Sequence, residues 1–206
     1  MGEEENPVKE TALVNLKVRG TKYQGSFQVW ENRKSKMANQ YFDIGKYYGG
    51  EPRKEIPDNL FDRMAILDFL TGNMDRHAEN WLIIQDDASD KNKVTDLVAV
   101  DGGKSMSSTH SDNWLEWHNQ YSWKLMKKYA NRTFSGEGVK IIDRVHGNKD
   151  SLVQDIRAFY EKHEKGPCSK RLTNQRIEKV QERLTALHKF AHEGKTLGKL
   201  QRTDQF

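Results

Sequence analysis

A long apolar helix signal that stops at a glycine and opens into a polar loop constrains this chain more than any other feature. Asp58 follows Pro57, and Leu60, Phe61, Met64, Ala65, Leu67 and Leu70 recur mostly at the spacing of one helix face. Asp58 is the expected N-cap. Ile66 and Phe69 add apolar positions off that face, so the helix is predicted to be buried on most sides. Gly72 ends it. The loop Gly72-Asn73-Met74-Asp75-Arg76-His77-Ala78-Glu79-Asn80 then runs straight into Trp81-Leu82-Ile83-Ile84, a predicted strand. A charged turn from Asp86 to Lys93 follows. Leu97-Val98-Ala99-Val100 predicts a second short strand and delivers Asp101-Gly102-Gly103, 21 positions beyond Asn80.

On the N-terminal side, Ala12 to Val18 alternates well enough for a strand, Arg19-Gly20-Thr21-Lys22 reads as a turn, and Ser26 to Trp30 as a second strand. Together they predict a hairpin. Residues 31–57 are polar and rich in Gly, Asn and Lys, which predicts mostly loop. Beyond Gly103 the pattern turns helical. Trp114, Trp117, Tyr121, Leu125 and Tyr129 mark one helix, with an aromatic stripe that reads as core. Leu152, Val153, Ile156 and Phe159 mark another, and Ile177, Val180, Leu184, Leu187 and Ala191 a third. The expected class is α+β and mainly helical.

At 35% hydrophobic and 31% charged over 206 residues, the core is modest for a globular enzyme. A chain this polar is expected to lean on a partner for part of its burial. Residues 157–202 hold twelve Lys or Arg against five Glu. That excess is either the solvated face of terminal helices or an electrostatic docking surface. No aromatic residues are interleaved with these charges as a stacking platform requires, which argues against nucleic-acid binding. Cys168 is the single cysteine, and no Cys/His group has zinc spacing. There is no apolar leader near Met1 and no long uncharged apolar run. A soluble, reducing setting such as the cytoplasm is expected.

Phosphoryl transfer from a nucleotide needs a group that orients the attacking hydroxyl, oxygen ligands for Mg²⁺, and positive charge near the phosphates. Asp75 suits the first role, Asn80 with Asp101 the second. Each has an ordinary alternative. Asp75 and Arg76 could be a helix-terminal ion pair, His77 a residue that satisfies loop backbone, and Asn80 and Asp101 turn residues. Gly102 and Gly103 suit close backbone approach in either case.

The stretch from Arg63 to Ile83, with Gly-Asn-Met-Asp-Arg-His at its centre, resembles the catalytic loop of phosphatidylinositol 3-/4-kinase-like proteins. It is similar also to the four-jointed-type secreted kinases. Leu97 to Gly103 resembles the strand and metal-binding aspartate that follow in that superfamily, with Asp-Gly-Gly for Asp-Phe-Gly. Gly25 to Trp30 resembles the strand that enters the hinge in bacterial and phage members. The resemblance covers roughly residues 18–105 and implies a protein kinase-like C-lobe using ATP and Mg²⁺. It makes Asp75 the catalytic aspartate, with Arg76 and His77 beside it and His77 meeting the transferring phosphate. Asn80 and Asp101 become the metal ligands. Backbone of Val29, Trp30 and Glu31 would meet adenine, with Trp30 over it. Lys104 could lend charge to a phosphate.

A kinase also needs a glycine-rich cover for the phosphates and a strand lysine held by a helix glutamate. No Gly-x-Gly-x-x-Gly occurs here, and only about 25 residues precede the hinge strand. Neither Lys9 nor Lys17 has the required surroundings. The expected organisation is therefore an N-lobe remnant with the hinge over residues 1–55 and a kinase-like C-lobe with a helical extension over residues 56–206. Two functions stay open on this reading. One is a kinase transferring the ATP γ-phosphate to a hydroxyl, with a partner chain completing the nucleotide site. The other is a catalytically silent kinase-like subunit of a larger assembly such as a phage particle. No membrane span is expected.

Overall fold

The computed structural model describes residues 11–18, 21–28, 35–41, 56–73, 76–85, 93–100, 127–163 and 169–200. The mixed architecture expected from the sequence is present: two small antiparallel sheets and a mainly helical body.

The hairpin pairs β1 (Thr11–Val18) with β2 (Thr21–Gln28). Its register sets Val18 opposite Thr21 and Thr11 opposite Gln28. Only Arg19-Gly20 lies between the strands, so the connection is two residues rather than the four expected. Thr21 and Lys22 belong to the ladder because they pair with Val18 and Lys17. Val29, Trp30 and Glu31 lie outside the described residues. The hairpin packs against none of the other described elements.

Residues 31–57 are not all loop. Ser35–Met37 form β3, followed by the short helix α1 (Ala38–Tyr41). Three residues are too few to show strand alternation, and pairing with a single neighbouring strand supplies the hydrogen bonds that make this one. The second sheet has the order β3-β4-β5, with β4 at Trp81–Gln85 and β5 at Val94–Ala99. Met37 faces Leu82, and Trp81 faces Ala99, all antiparallel. Both β4 and β5 are buried at nearly every position rather than on alternate ones, and they bury polar Gln85 and Asp96 along with their apolar residues.

Helix α2 (Asp58–Thr71) is the centre of the core. Leu60, Phe61, Met64, Ala65, Ile66 and Phe69 are all buried, as the two-sided apolar pattern predicts. Burial of each of the larger side chains contributes about 1.5–3 kcal/mol. The N-cap expectation is corrected. Pro57 occupies the cap with no side-chain bond, its carbonyl accepting from the Leu60 and Phe61 N–H groups, and Asp58 is the first helical residue. There its charge favours the positive end of the helix dipole, and its carboxylate meets Arg132 at 3.2 Å.

Of the predicted aromatic helix, the described part is α3 (Lys127–Ala130). Trp114, Trp117, Tyr121 and Leu125 lie outside the described residues. Tyr129 is fully buried, stacks on Phe61 at 4.0 Å, and accepts the Ile56 N–H at 2.9 Å through its hydroxyl. Helix α4 (Gly136–Gly147) has no counterpart in the sequence reading. Two glycines in its first turn mask it, yet the Ser135 hydroxyl caps it by accepting the Gly138 N–H at 3.1 Å. Asp62 of α2 explains Gly138: a Cβ there would lie 2.4 Å from the carboxylate. That carboxylate takes the Ser135 N–H and hydroxyl and an ion pair from Arg132, which fixes α4 onto α2.

Helices α5 (Lys149–His163) and α6 (Ser169–His192) match the two remaining predicted helices. Helix α6 buries Ile177, Val180, Leu184 and Leu187 and lies against α2, α4 and α5. On α5, Phe159 is exposed rather than buried. A single 3₁₀ turn at Leu197–Lys199 folds back on α3. Among the described residues, no helix is long and apolar enough to cross a membrane.

Candidate functional site

The polar loop hangs from the end of α2. Gly72 adopts φ 59° and ψ 38°, a left-handed geometry that a side chain disfavours. Its N–H reaches the Phe69 carbonyl, and the Asn73 N–H returns to the Asp68 carbonyl at 2.9 Å. This is a Schellman closure, and it turns the chain sharply off the helix axis. The guanidinium of Arg183, from α6, lies directly over Gly72, where a Cβ would come within 2.4 Å of it.

Asp68 then holds the loop from below. It is fully buried, and one carboxylate oxygen takes Arg76 Nε at 2.9 Å and Asn73 Nδ2 at 3.2 Å. Arg76 is buried in turn, and its Nη1 donates to the Asn80 carbonyl and to the Val100 carbonyl, the latter at 3.0 Å. The Val100 N–H also reaches the Asn80 carbonyl at 3.0 Å. One guanidinium therefore ties the end of α2, the loop and the end of β5 together. A buried ion pair of this kind survives only with its remaining hydrogen bonds satisfied.

The sheet register explains why residues 80 and 100 meet. β4 starts at Trp81, β5 ends at Ala99, and these two residues are paired. Antiparallel pairing thus returns the chain to the mouth of the loop it left.

His77 is partly buried and Asn80 is buried. The His77 ring accepts the Glu79 N–H at Nδ1, at 3.2 Å. That bond requires Nδ1 unprotonated, so a neutral ring carries its proton on Nε2. The Asn80 N–H donates to the His77 carbonyl, and its own carbonyl is taken by Arg76 and Val100. Its main chain is committed, so any ligand role falls to the side-chain amide.

Arg76, His77 and Asn80 are thus brought together at one end of the sheet. Asp75, Asp101 and Lys104 lie outside the described residues, as do the hinge positions Val29, Trp30 and Glu31. Asp68 and Arg183 were not singled out from sequence. A charged residue inside the apolar run Leu67 to Leu70, eight positions before Arg76, is the signal that Asp68 leaves. Arg183 leaves none, because its contact with Gly72 spans 111 positions.

No family model matches the chain. It is similar to phosphatidylinositol 4-kinase type 2-alpha of Danio rerio, 29% identical over 118 aligned residues, covering 48% of this chain and 25% of that protein. The Xenopus laevis type 2-alpha protein is 26% identical over 117 residues, 48% of this chain and 24% of that protein. The Rattus norvegicus type 2-beta protein is 26% identical over 120 residues, again 48% and 24%. The chain thus spans about a quarter of the length of the curated relatives it matches, and its likeness to phosphatidylinositol 4-kinases is distant and partial.

Proposed function

We propose that this chain forms part of a kinase-like phosphotransferase that moves the γ-phosphate of ATP onto a hydroxyl group. The observation that carries the proposal is the Arg76 clamp. It joins Asn80 to Val100, and Arg76 and Val100 are the sequence neighbours of Asp75 and Asp101. The likeness to phosphatidylinositol 4-kinases supports the same chemistry.

In this reading Asp75 orients the acceptor hydroxyl and takes its proton. The Asn80 amide and the Asp101 carboxylate are oxygen donors of the kind that suits Mg²⁺. When bound, that ion neutralises charge on the ATP phosphates. His77, with its proton on Nε2, is a donor for a phosphate oxygen. Arg76 acts as a positioning residue, because its guanidinium is spent on Asp68 and two carbonyls. Val29 to Glu31 supply the adenine-facing backbone, and Lys104 adds charge near the phosphates. The names of the relatives make an inositol-lipid hydroxyl the first acceptor to try.

The test is magnesium-dependent nucleotide binding by calorimetry, followed by turnover. With no glycine-rich phosphate cover in these 206 residues, ATP binding is expected to be weak and to require Mg²⁺. Asp101→Ala should remove the magnesium-dependent heat. Asp75→Ala should keep it and lose turnover, since its role falls on the chemical step. Magnesium-independent binding, or two variants indistinguishable from the parent, would overturn the assignment.

The proposal extends to a protein partner. The β1–β2 hairpin touches no other described element, and an unpaired strand edge is a template for another chain. Sedimentation of the purified chain is expected to show association that rises with concentration and is lost when residues 11–28 are deleted. A monomer at every concentration would remove the partner from the reading.

A further inference from the structure

Away from the loop, helices α4 and α6 bring three metal-ligating side chains to one point. Asp143 lies on α4, and His188 and His192 on α6. Residues four apart share a helix face, so both imidazoles project toward α4. His188 Nε2 stands 3.3 Å and His192 Nε2 2.8 Å from the same Asp143 oxygen, and the three ligand atoms all lie within 4.8 Å of one another. We infer that Asp143, His188 and His192 form a binding site for a divalent transition ion of the zinc class, linking α4 to α6.

The geometry suits that ion. Zinc bonds of about 2.0–2.1 Å place neighbouring donor atoms of a tetrahedral site roughly 3.3 Å apart. The His188–Asp143 separation already has that value, the His192–Asp143 contact needs to open by about half an ångström, and the two imidazole nitrogens, within 4.8 Å of each other, need to close by up to about 1.5 Å. The two imidazoles are borderline donors, which favours zinc, cobalt or nickel over magnesium or calcium, and zinc also accepts a carboxylate oxygen. His146 stacks on the His188 ring at 4.1 Å and 16°, which fixes the plane of that ring.

The three side chains are partly exposed, which leaves the remaining coordination positions to water. Lys189 follows His188 directly, where helical His-Glu-x-x-His hydrolase sites carry a general-base glutamate. The site therefore reads as a staple between helices rather than a second catalytic centre. It is independent of the phosphotransfer proposal and shares no residue with it.

Cobalt is the probe, because its visible absorption reports nitrogen and oxygen ligands directly. The full chain, purified without a polyhistidine tag, is titrated with Co²⁺ at neutral pH, and thermal midpoints are recorded with and without Zn²⁺. The parent should give a saturable one-to-one absorption band and a zinc-dependent rise in Tm. The His188→Ala/His192→Ala double variant should lose both, and Asp143→Asn should bind Co²⁺ more weakly than the parent. All three positions are surface-accessible, and circular dichroism of the variants checks that each is folded. A parent with no saturable band, or a double variant with the parent's binding curve, would reduce the cluster to an ordinary histidine–carboxylate ion pair.

Discussion

Asp68→Ala is expected to destabilise the protein by about 3–5 kcal/mol, the cost of leaving a buried charge without its partner. The carboxylate is wholly buried and accepts from both Arg76 and Asn73 through one oxygen. Its removal strands the Arg76 guanidinium, itself 4% exposed, against the Asn80 and Val100 carbonyls alone. For a chain of this size the thermal midpoint should fall by roughly 6–20 °C. Asp68→Asn keeps the shape and one acceptor oxygen, so its loss should be smaller, though the charge balance is still broken. The decisive comparison is a cycle with Arg76→Met. If the two residues act as a pair, the double variant Asp68→Ala/Arg76→Met should be more stable than Asp68→Ala alone, because no isolated charge remains. Additive losses in denaturant titration would show that the pair is not the unit that holds the loop.

Gly72→Ala should cost about 2–4 kcal/mol, for two reasons that add. A left-handed conformation costs an alanine about 1–2 kcal/mol that glycine does not incur. The new Cβ would also stand 2.4 Å from the Arg183 guanidinium carbon, so that buried side chain must move. Arg183→Ala removes the second contribution and not the first. The pair of substitutions should therefore be less damaging than the sum of the two taken singly. Because Gly72 is the pivot of the Schellman closure, the same substitution should disturb the Asn73 to Asn80 loop. Amide exchange at Asn80 and Val100, whose N–H groups close that loop, is the local readout. A Gly72→Ala protein with parental stability and unchanged exchange there would refute both the strain and the clash.

Much of the frame follows from local pattern. Apolar residues on more than one face of 58–71 fix a buried helix, and Gly72 fixes its end through its own backbone freedom. The apolar runs Trp81–Ile84 and Leu97–Val100 read as strands, although the second strand starts earlier, at Val94, and ends at Ala99, and the spacing within 177–191 reads as helix, because each signal repeats within a few residues. Where the signal is shorter or broken, the reading fails. Ser35–Met37 is a strand only because β4 lies beside it, and α4 hides behind Gly136 and Gly138.

The motif from Gly72 to Asn80 announces a polar loop of defined chemistry, and sequence alone determines that the loop leaves a buried helix and enters a strand. Only the tertiary structure decides what holds it. The β4–β5 register returns Val100 to Asn80, Asp68 turns Arg76 inward as the tie between them, and Arg183 arrives over Gly72 from a helix more than a hundred residues away. Asp143, His188 and His192 likewise become neighbours only once α4 and α6 pack. Local preference acts over a turn of helix or a pair of strands. A buried charge and a ligand cluster are chosen by which distant surfaces meet, and the sequence specifies that meeting only through the packing of the whole core.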